Sequence, residues 1–558
     1  MSEDAMREPR PTGHQADEAE QRVRSAVKDC VHCGFCLPAC PTYSLWGEEM
    51  DSPRGRIHLV SQLLDGAPLT PATAGHFDRC LGCMACMTAC PSGVQYDQII
   101  EAARDWTEAG VNPLAGAGAG GGVPASVAGG GVGDGGSVGG DGGDGGIRSE
   151  AAGGGIGEVG GADGSGEDGG DGGGGVVGRG VGSRGVGAGA GGVGGGAVKR
   201  ERTAPRPLAD RLTREAIFAL FPYPRRLRVA TAPLRLAQRT GADRLLARTG
   251  LVGRVSPAAE QALRLAPASR SAPPGRLPER VAALGTRRAV VGMLTGCVQS
   301  VFFPGVNAAT ARVLAAEGCD VIIPRSQGCC GALSLHSGRV AEAAHFARQT
   351  IAAFEAAGVD AIVVNSAGCG SAMKEYERLF AGLAEEGGAD EEATATASPA
   401  LPGQLEAGSW TVRAALLSSR VRDLSEFLDA LGPVAARRPV PVVAAYHDAC
   451  HLGHAQGITA QPRSLLHAIP ELELVELRDP GVCCGSAGVY NLLQPDAASA
   501  LGARKADSVA ASGAPLLISA NPGCTLQISA ALASQGVTIR TAHIAEVLDA
   551  SINGVPLA

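Results

Sequence analysis

Eight cysteines between positions 30 and 91 fall in two runs of one spacing. Cys30, Cys33, Cys36 and Cys40 precede Pro41, and Cys80, Cys83, Cys86 and Cys90 precede Pro91. Thiolates spaced C-x2-C-x2-C-x3-C wrap three corners of a cubane, and the fourth cysteine of each run ordinarily serves the other cluster. The pattern predicts two 4Fe-4S clusters, one on Cys30, Cys33, Cys36 and Cys90 and one on Cys80, Cys83, Cys86 and Cys40. A zinc ribbon would present two separated C-x2-C pairs instead. Disulfides do not persist in a reducing cytosol. Electron transfer is the chemistry of such a site.

A second set of cysteines repeats over a longer distance. The strings ending at Cys297, at Cys329-Cys330-Gly331 and at Cys369 return at Cys450, at Cys483-Cys484-Gly485 and at Cys524, shifted by 153, 154 and 155 residues. Such a constant shift marks a tandem duplication. In each copy an apolar run rich in β-formers ends at a cysteine, a helical pattern follows, and a further strand leads to Cys-Cys-Gly. Strand-helix-strand alternation predicts a parallel α/β sheet, with ligands gathered at the carboxyl ends of its strands. The four cysteines of each copy should converge there. Adjacent cysteines suit neither a tetrahedral site nor an unstrained disulfide, so a redox cluster is the favoured reading, with a structural metal or unligated thiols as alternatives. Cys319 has Glu473 at the matching place and reads as a core thiol. His447, Cys450, His451 and His454 are open to two readings, a metal site or hydrogen-bonding groups around the thiols.

Local patterns suggest the elements that hold these residues. Residues 18–29 carry apolar positions at helical spacing ahead of Cys30. Between the two runs, Ser52 suits an N-cap, Pro53 the first helical position and Gly66 the stop. Ile57, Val60, Leu63 and Leu64 share one face of that helix. The expected fold is an α-helical ferredoxin domain plus tandem α/β Cys-Cys-Gly domains, joined by a disordered Gly-rich linker. The expected boundaries are a disordered terminus at 1–17, the ferredoxin domain at 18–112, the linker at 115–198, a basic helical connector at 199–288, and Cys-Cys-Gly domains at 289–400 and 438–555.

Composition narrows the function classes. From 115 to 198, 42 of 84 residues are glycine, too little apolar surface to offset the entropy of ordering. As a flexible coil it would average roughly 50 Å end to end. Residues 199–288 hold 20 Lys plus Arg against 6 Asp plus Glu. A solvated connector or a docking surface for an acidic partner or anionic membrane accounts for that charge. Nucleic-acid binding is not expected, because neither aromatic interleaving nor a helix-turn-helix pattern accompanies it. The N-terminal stretch has no apolar export segment. No run suits a transmembrane helix. A cytoplasmic protein is expected, peripheral at the inner face of the membrane through partners.

The two dicluster runs, the linking Asp51-Ser-Pro-Arg-Gly-Arg-Ile57, Ala367-Gly-Cys-Gly370 and Cys483-Cys-Gly-Ser-Ala-Gly-Val-Tyr490 together resemble the iron-sulfur subunit of glycolate oxidase (glycolate dehydrogenase). The likeness covers about 20–110 and 205–555. It implies an electron-transferring subunit whose partner subunits carry FAD and oxidise glycolate to glyoxylate, with a quinone or similar membrane acceptor. No FAD-binding segment is evident in this chain, so the hydride chemistry belongs to partners. D-lactate or another 2-hydroxy acid is the alternative substrate. The Cys-Cys-Gly repeats are also similar to those of heterodisulfide reductases, which implies additional iron-sulfur clusters bound by Cys297, Cys329, Cys330 and Cys369 and by Cys450, Cys483, Cys484 and Cys524. In that family the last cysteine closes a C-x2-C pair. Here Ser366 and Asn521 stand at its first position. Thiol or disulfide reduction at these repeats is the rival reading. A redox-responsive binding protein would need an effector module, and none is evident. Because added loop length costs little stability, a chain lacking residues 115–198 should still assemble with its flavoprotein partners, as copurification would show; loss of assembly would contradict this.

Overall fold

The computed structural model describes residues 14–110, 206–240, 257–266, 277–383 and 409–557, together with 242 and 254. The expected glycine-rich linker lies outside the described residues, as does most of the N-terminal stretch 1–17. Six helices form the first part: α1 (His14–Lys28), α2 (Pro41–Trp46), α3 (Pro53–Leu64), α4 (Pro71–Asp78), α5 (Ala85–Thr88) and α6 (Tyr96–Ala109). Ser52 caps α3, its side chain accepting from the Gly55 amide, and Pro53 opens the helix. Val60, Leu63, Phe77, Ile99 and Ala103 bring α3, α4 and α6 into one apolar core, against which the cysteine loops are laid.

The sequence Asp51-Ser-Pro-Arg-Gly-Arg56 has a physical account. Arg56 is 1% exposed. It donates to the His76 carbonyl (2.7 Å), the Thr42 hydroxyl (3.2 Å), and the Asp51 carbonyl and carboxylate. The Asp51 carboxylate also receives Arg79 Nε (3.0 Å) and pairs with His76 Nδ1 (2.9 Å). At Gly55 an added Cβ would lie 2.0 Å from the Glu49 carbonyl oxygen, so only glycine lets the two segments meet. This hub fixes the loop from Cys40 to the helix between the two cysteine runs.

Three helices follow: α7 (Leu208–Leu220), α8 (Pro224–Thr240) and α9 (Pro257–Leu265). All three fall in the stretch expected to be a basic helical connector, and α8 carries Pro233 in its interior. Then come two sheets. Strands β1 (Arg280–Val281), β2 (Ala289–Leu294), β3 (Cys319–Ile322), β4 (Ala361–Val364) and β5 (Val421–Asp423) lie in the order β1-β3-β2-β4-β5, with only β1 antiparallel. Strands β6 (Val442–His447), β7 (Leu472–Glu476), β8 (Leu516–Ser519) and β9 (Arg540–His543) run parallel in the order β7-β6-β8-β9. The expected span 289–400 for the first domain thus omits two of its strands. Both are only two or three residues long, too short to carry a periodicity.

The duplicated halves share one core. Val291, Met293 and Val321 of the first sheet belong to the same buried cluster as Ala444, Tyr446 and Ile518 of the second. The helix Pro304–Ala316 packs on Ile544–Asn553, where Arg312 Nε donates to both Asp549 oxygens at 3.1 Å. The helical part and both halves pack as one compact unit.

Removing one partner of a buried charged network costs roughly 3–5 kcal/mol. Arg56→Met should lower stability to chemical denaturation by about that much and release iron from the helical part first. Unchanged stability would contradict the role given to the hub.

Candidate iron-sulfur sites

All 17 cysteines are free. Those of the first run gather with members of the second. A cavity of about 30 Å³ is lined by Cys30, Cys33, Cys36, Cys86 and Cys90. Two cysteines of the second run, Cys86 and Cys90, thus stand beside three of the first. Cys40 is buried beside Thr42, Sγ to Oγ1 3.2 Å. Burial alone would raise the Cys80 thiol, but the guanidinium groups of Arg56 and Arg104 outweigh it and hold the thiol low. The Gly82 amide donates to Cys80 Sγ at 3.3 Å. Two buried cations and an amide aimed at sulfur are an environment for a thiolate.

The Cys-Cys-Gly cysteines converge more closely than sequence could show. All eight line one cavity of about 160 Å³, with contributions from both halves. Strand ends and the turns after them place these residues, as the topology of a parallel sheet demands. In each Cys-Cys-Gly turn the glycine has a left-handed backbone, φ +81° at Gly331 and +86° at Gly485. An added Cβ would come within 2.9 Å of the Ala343 carbonyl and 2.7 Å of the Ala498 carbonyl. Both glycine amides donate to the first cysteine of their pair, at 3.4 Å to Cys329 and 3.5 Å to Cys483. The second cysteines differ: Cys330 is held low by the thiols of Cys329 and Cys369, and Cys484 by those of Cys483 and Cys524. Cys319 sits in β3 away from the cavity, fully buried, its thiol pushed up to about 11 by burial. It is a core residue.

Cys83 joins the two systems. It lines the large cavity with the eight Cys-Cys-Gly thiols and shares a buried cluster with Leu81, Cys450 and Cys483. Burial and the nearness of Cys450 push its thiol well up. Neutral thiols crowded this way are poor neighbours, whereas thiolates bound to iron are satisfied. The donor set therefore fits iron-sulfur clusters.

The four candidates near 447–454 separate in space. His454 is hydrogen-bonded at both ring nitrogens, to Thr88 Oγ1 and the Gly481 carbonyl, each at 3.0 Å, and braces α5. His451 lines the large cavity and lies against His336, ring centres 4.9 Å apart; burial drives its pKa down to about 3. His447 leaves this group and lies with Cys484 and Cys524.

Around the junction the helical part grips the first repeat through buried charge that no sequence motif announced. Arg104 donates to the His336 carbonyl (2.7 Å), Glu101 pairs with His336 Nδ1 (3.1 Å), and Asp97 pairs with Arg378. Tyr490 of the second repeat donates to the Arg79 carbonyl (3.1 Å).

A dicluster module sharing buried thiols with a duplicated cysteine-rich domain defines an iron-sulfur electron-transfer protein. Comparison with known proteins agrees: residues 26–94 match the 4Fe-4S dicluster domain, 291–374 and 444–529 the cysteine-rich domain, and 209–266 the linker region of the glycolate oxidase iron-sulfur subunit. The chain is 28% identical to the probable glycolate oxidase iron-sulfur subunit of Bacillus subtilis over 95% of both chains. It is 27% identical to the glycolate oxidase iron-sulfur subunit of Escherichia coli over 92% of this chain and 94% of that one. Lactate utilization protein A of Shouchella clausii is 31% identical over 46% of this chain and 98% of its own length. The chain is thus similar over nearly its whole length to glycolate oxidase iron-sulfur subunits, and it is an electron-transfer iron-sulfur subunit of an oxidoreductase.

Burial, then the nearby Glu101 carboxylate, raises Glu375 to about 7, against the pull of Arg378 and His336. Its folded form keeps a proton that the unfolded chain releases near 4.5. The stabilisation it contributes is complete below about pH 4.5 and is lost as pH rises through about 7. Glu375→Gln should flatten that part of the stability-pH curve, measured by denaturant unfolding; an unaltered slope would contradict the assignment.

Proposed function

We propose that this chain carries electrons from FAD-bearing partner subunits, which oxidise glycolate to glyoxylate, to a quinone or similar membrane acceptor. The observation that carries this reading is the packing of Cys83 against Cys450 and Cys483. Leu81 and Cys83 of the helical part also line the cavity that holds the repeats' cysteines. The ligand sets proposed are Cys30, Cys33, Cys36 and Cys90 for one 4Fe-4S cluster, and Cys80, Cys83, Cys86 and Cys40 for the other. Cys297, Cys329, Cys330 and Cys369 would hold a further cluster in the first repeat, and Cys450, Cys483, Cys484 and Cys524 one in the second. When bound, these groups supply one-electron storage and transfer. The residues of this chain set the conditions: Arg56 and Arg104 offset thiolate charge beside Cys80, and the turn amides donate to sulfur, both of which favour the more negative state.

No described helix is long and apolar enough to cross a membrane. The reading places the protein in the cytoplasm, meeting the membrane through partners. The basic helix α8 holds Arg225, Arg226, Arg228, Arg235 and no acidic residue, which suits an anionic surface.

A rival reading is reduction of a thiol or disulfide substrate at the Cys-Cys-Gly cavity, which its volume of about 160 Å³ would admit. Adding glycolate to the complex purified anaerobically with its partners, and following EPR, separates the two. The proposal expects rapid reduction of the clusters by glycolate. D-lactate acting in its place would move the substrate, and neither acid acting, with no flavoprotein copurified, would overturn the reading. Under the rival, Cys484→Ser abolishes disulfide turnover while the dicluster module stays reducible.

A further inference from the structure

The two repeats are not equivalent at the strand that enters the cavity. β2 and β6 correspond residue for residue, so Leu294, the last residue of β2, stands where His447 ends β6. Both are paired in register with the next parallel strand, Leu294 with Val364 and His447 with Ser519. In the first repeat that position is apolar: Leu294 belongs to the buried cluster that contains Cys330. In the second it is an imidazole with no exposed surface, whose ring nitrogens find no oxygen or nitrogen partner and meet only the Cys484 thiol. The neighbouring Ser519 hydroxyl is likewise buried and unpartnered. A buried imidazole is ordinarily hydrogen-bonded at one nitrogen at least. What this ring has beside it is sulfur. A ring nitrogen of His447 and the Sγ atoms of Cys484 and Cys524 lie within 4.8 Å of one another, the one such group of three potential ligands among the described residues.

From this we infer that His447 is an iron ligand, so that the second Cys-Cys-Gly domain holds its cluster with four thiolates and an imidazole while the first uses thiolates alone. The inference rests on the reading that both domains bind iron. Asn521 does not compete for the position: its side-chain amide donates to Cys524 Sγ at 3.4 Å, and its carbonyl faces the Ser366 hydroxyl. His454 is saturated, and His451 belongs to the pair with His336. A neutral nitrogen ligand in place of a thiolate raises the potential of an iron-sulfur centre, as histidine does in Rieske sites. The two domains would then hold their clusters with unlike ligand sets, and exchanging the imidazole for a thiolate would lower the potential of the second.

The test uses the full chain purified anaerobically, with iron analysis and pulsed EPR of the reduced protein labelled with 15N-histidine. The expected result is iron beyond that of the two 4Fe-4S clusters, with a strong imidazole nitrogen coupling on one centre. His447→Leu, which copies the first repeat, should lose that coupling, and His447→Cys should lose it while retaining the iron. In both variants the two 4Fe-4S clusters should keep their iron and stay reducible, which certifies the fold. The coupled centre should also become harder to reduce in His447→Cys. Persistence of the coupling in His447→Leu, or its absence from the unsubstituted protein with the extra iron present, overturns the ligation alone. Iron limited to the two 4Fe-4S clusters overturns both the ligation and the reading beneath it. Zinc in place of the extra iron does the same.

Discussion

Burying thiolate sulfur is the constraint on which this structure depends. Cys80, Cys83, Cys86 and all of the Cys-Cys-Gly cysteines except the half-buried Cys369 are buried, and each ionised thiol in such a setting carries a desolvation cost that something must offset. Three devices do so here. Arg56 and Arg104 bring cationic charge into the helical core, turn amides point at sulfur, and the spacing of the thiols themselves makes room for iron. The hub built from Asp51 and Arg56 is therefore more than packing: the cation that holds the loop together also faces Cys40 and Cys80.

The duplication solves a geometric problem. A parallel sheet delivers its loops to one end, and two such sheets sharing a core turn those ends toward one cavity. Neither repeat alone would enclose it. The helical part closes it with Leu81 and Cys83, anchored by Arg104 and Tyr490, so that thiols separated by more than 360 residues in sequence belong to one apolar cluster.

What was legible in the sequence was local. The cysteine spacings, the cap at Ser52, the glycine of each Cys-Cys-Gly turn and the order of strands within each repeat follow from short-range rules, and the structure has them. Arg56 was not legible, because an arginine in a charged stretch reads as solvated until its partners Asp51, His76 and Thr42 are seen around it. Nor was the meeting of Cys83 with Cys450, a contact between domains that no periodicity encodes. The histidines near Cys450 read as a group because they are neighbours in sequence. A strand end and a short helix send them to three different places.

The central claim is that the dicluster module and the Cys-Cys-Gly repeats form one electron-conducting unit that meets at Cys83. Its most direct test is a reductive titration of the anaerobically purified protein, followed by EPR for magnetic interaction between centres. The account predicts that the signal of a 4Fe-4S cluster splits or broadens as the centre of the second repeat is reduced. Signals that add as those of isolated centres at every stage of the titration would contradict it.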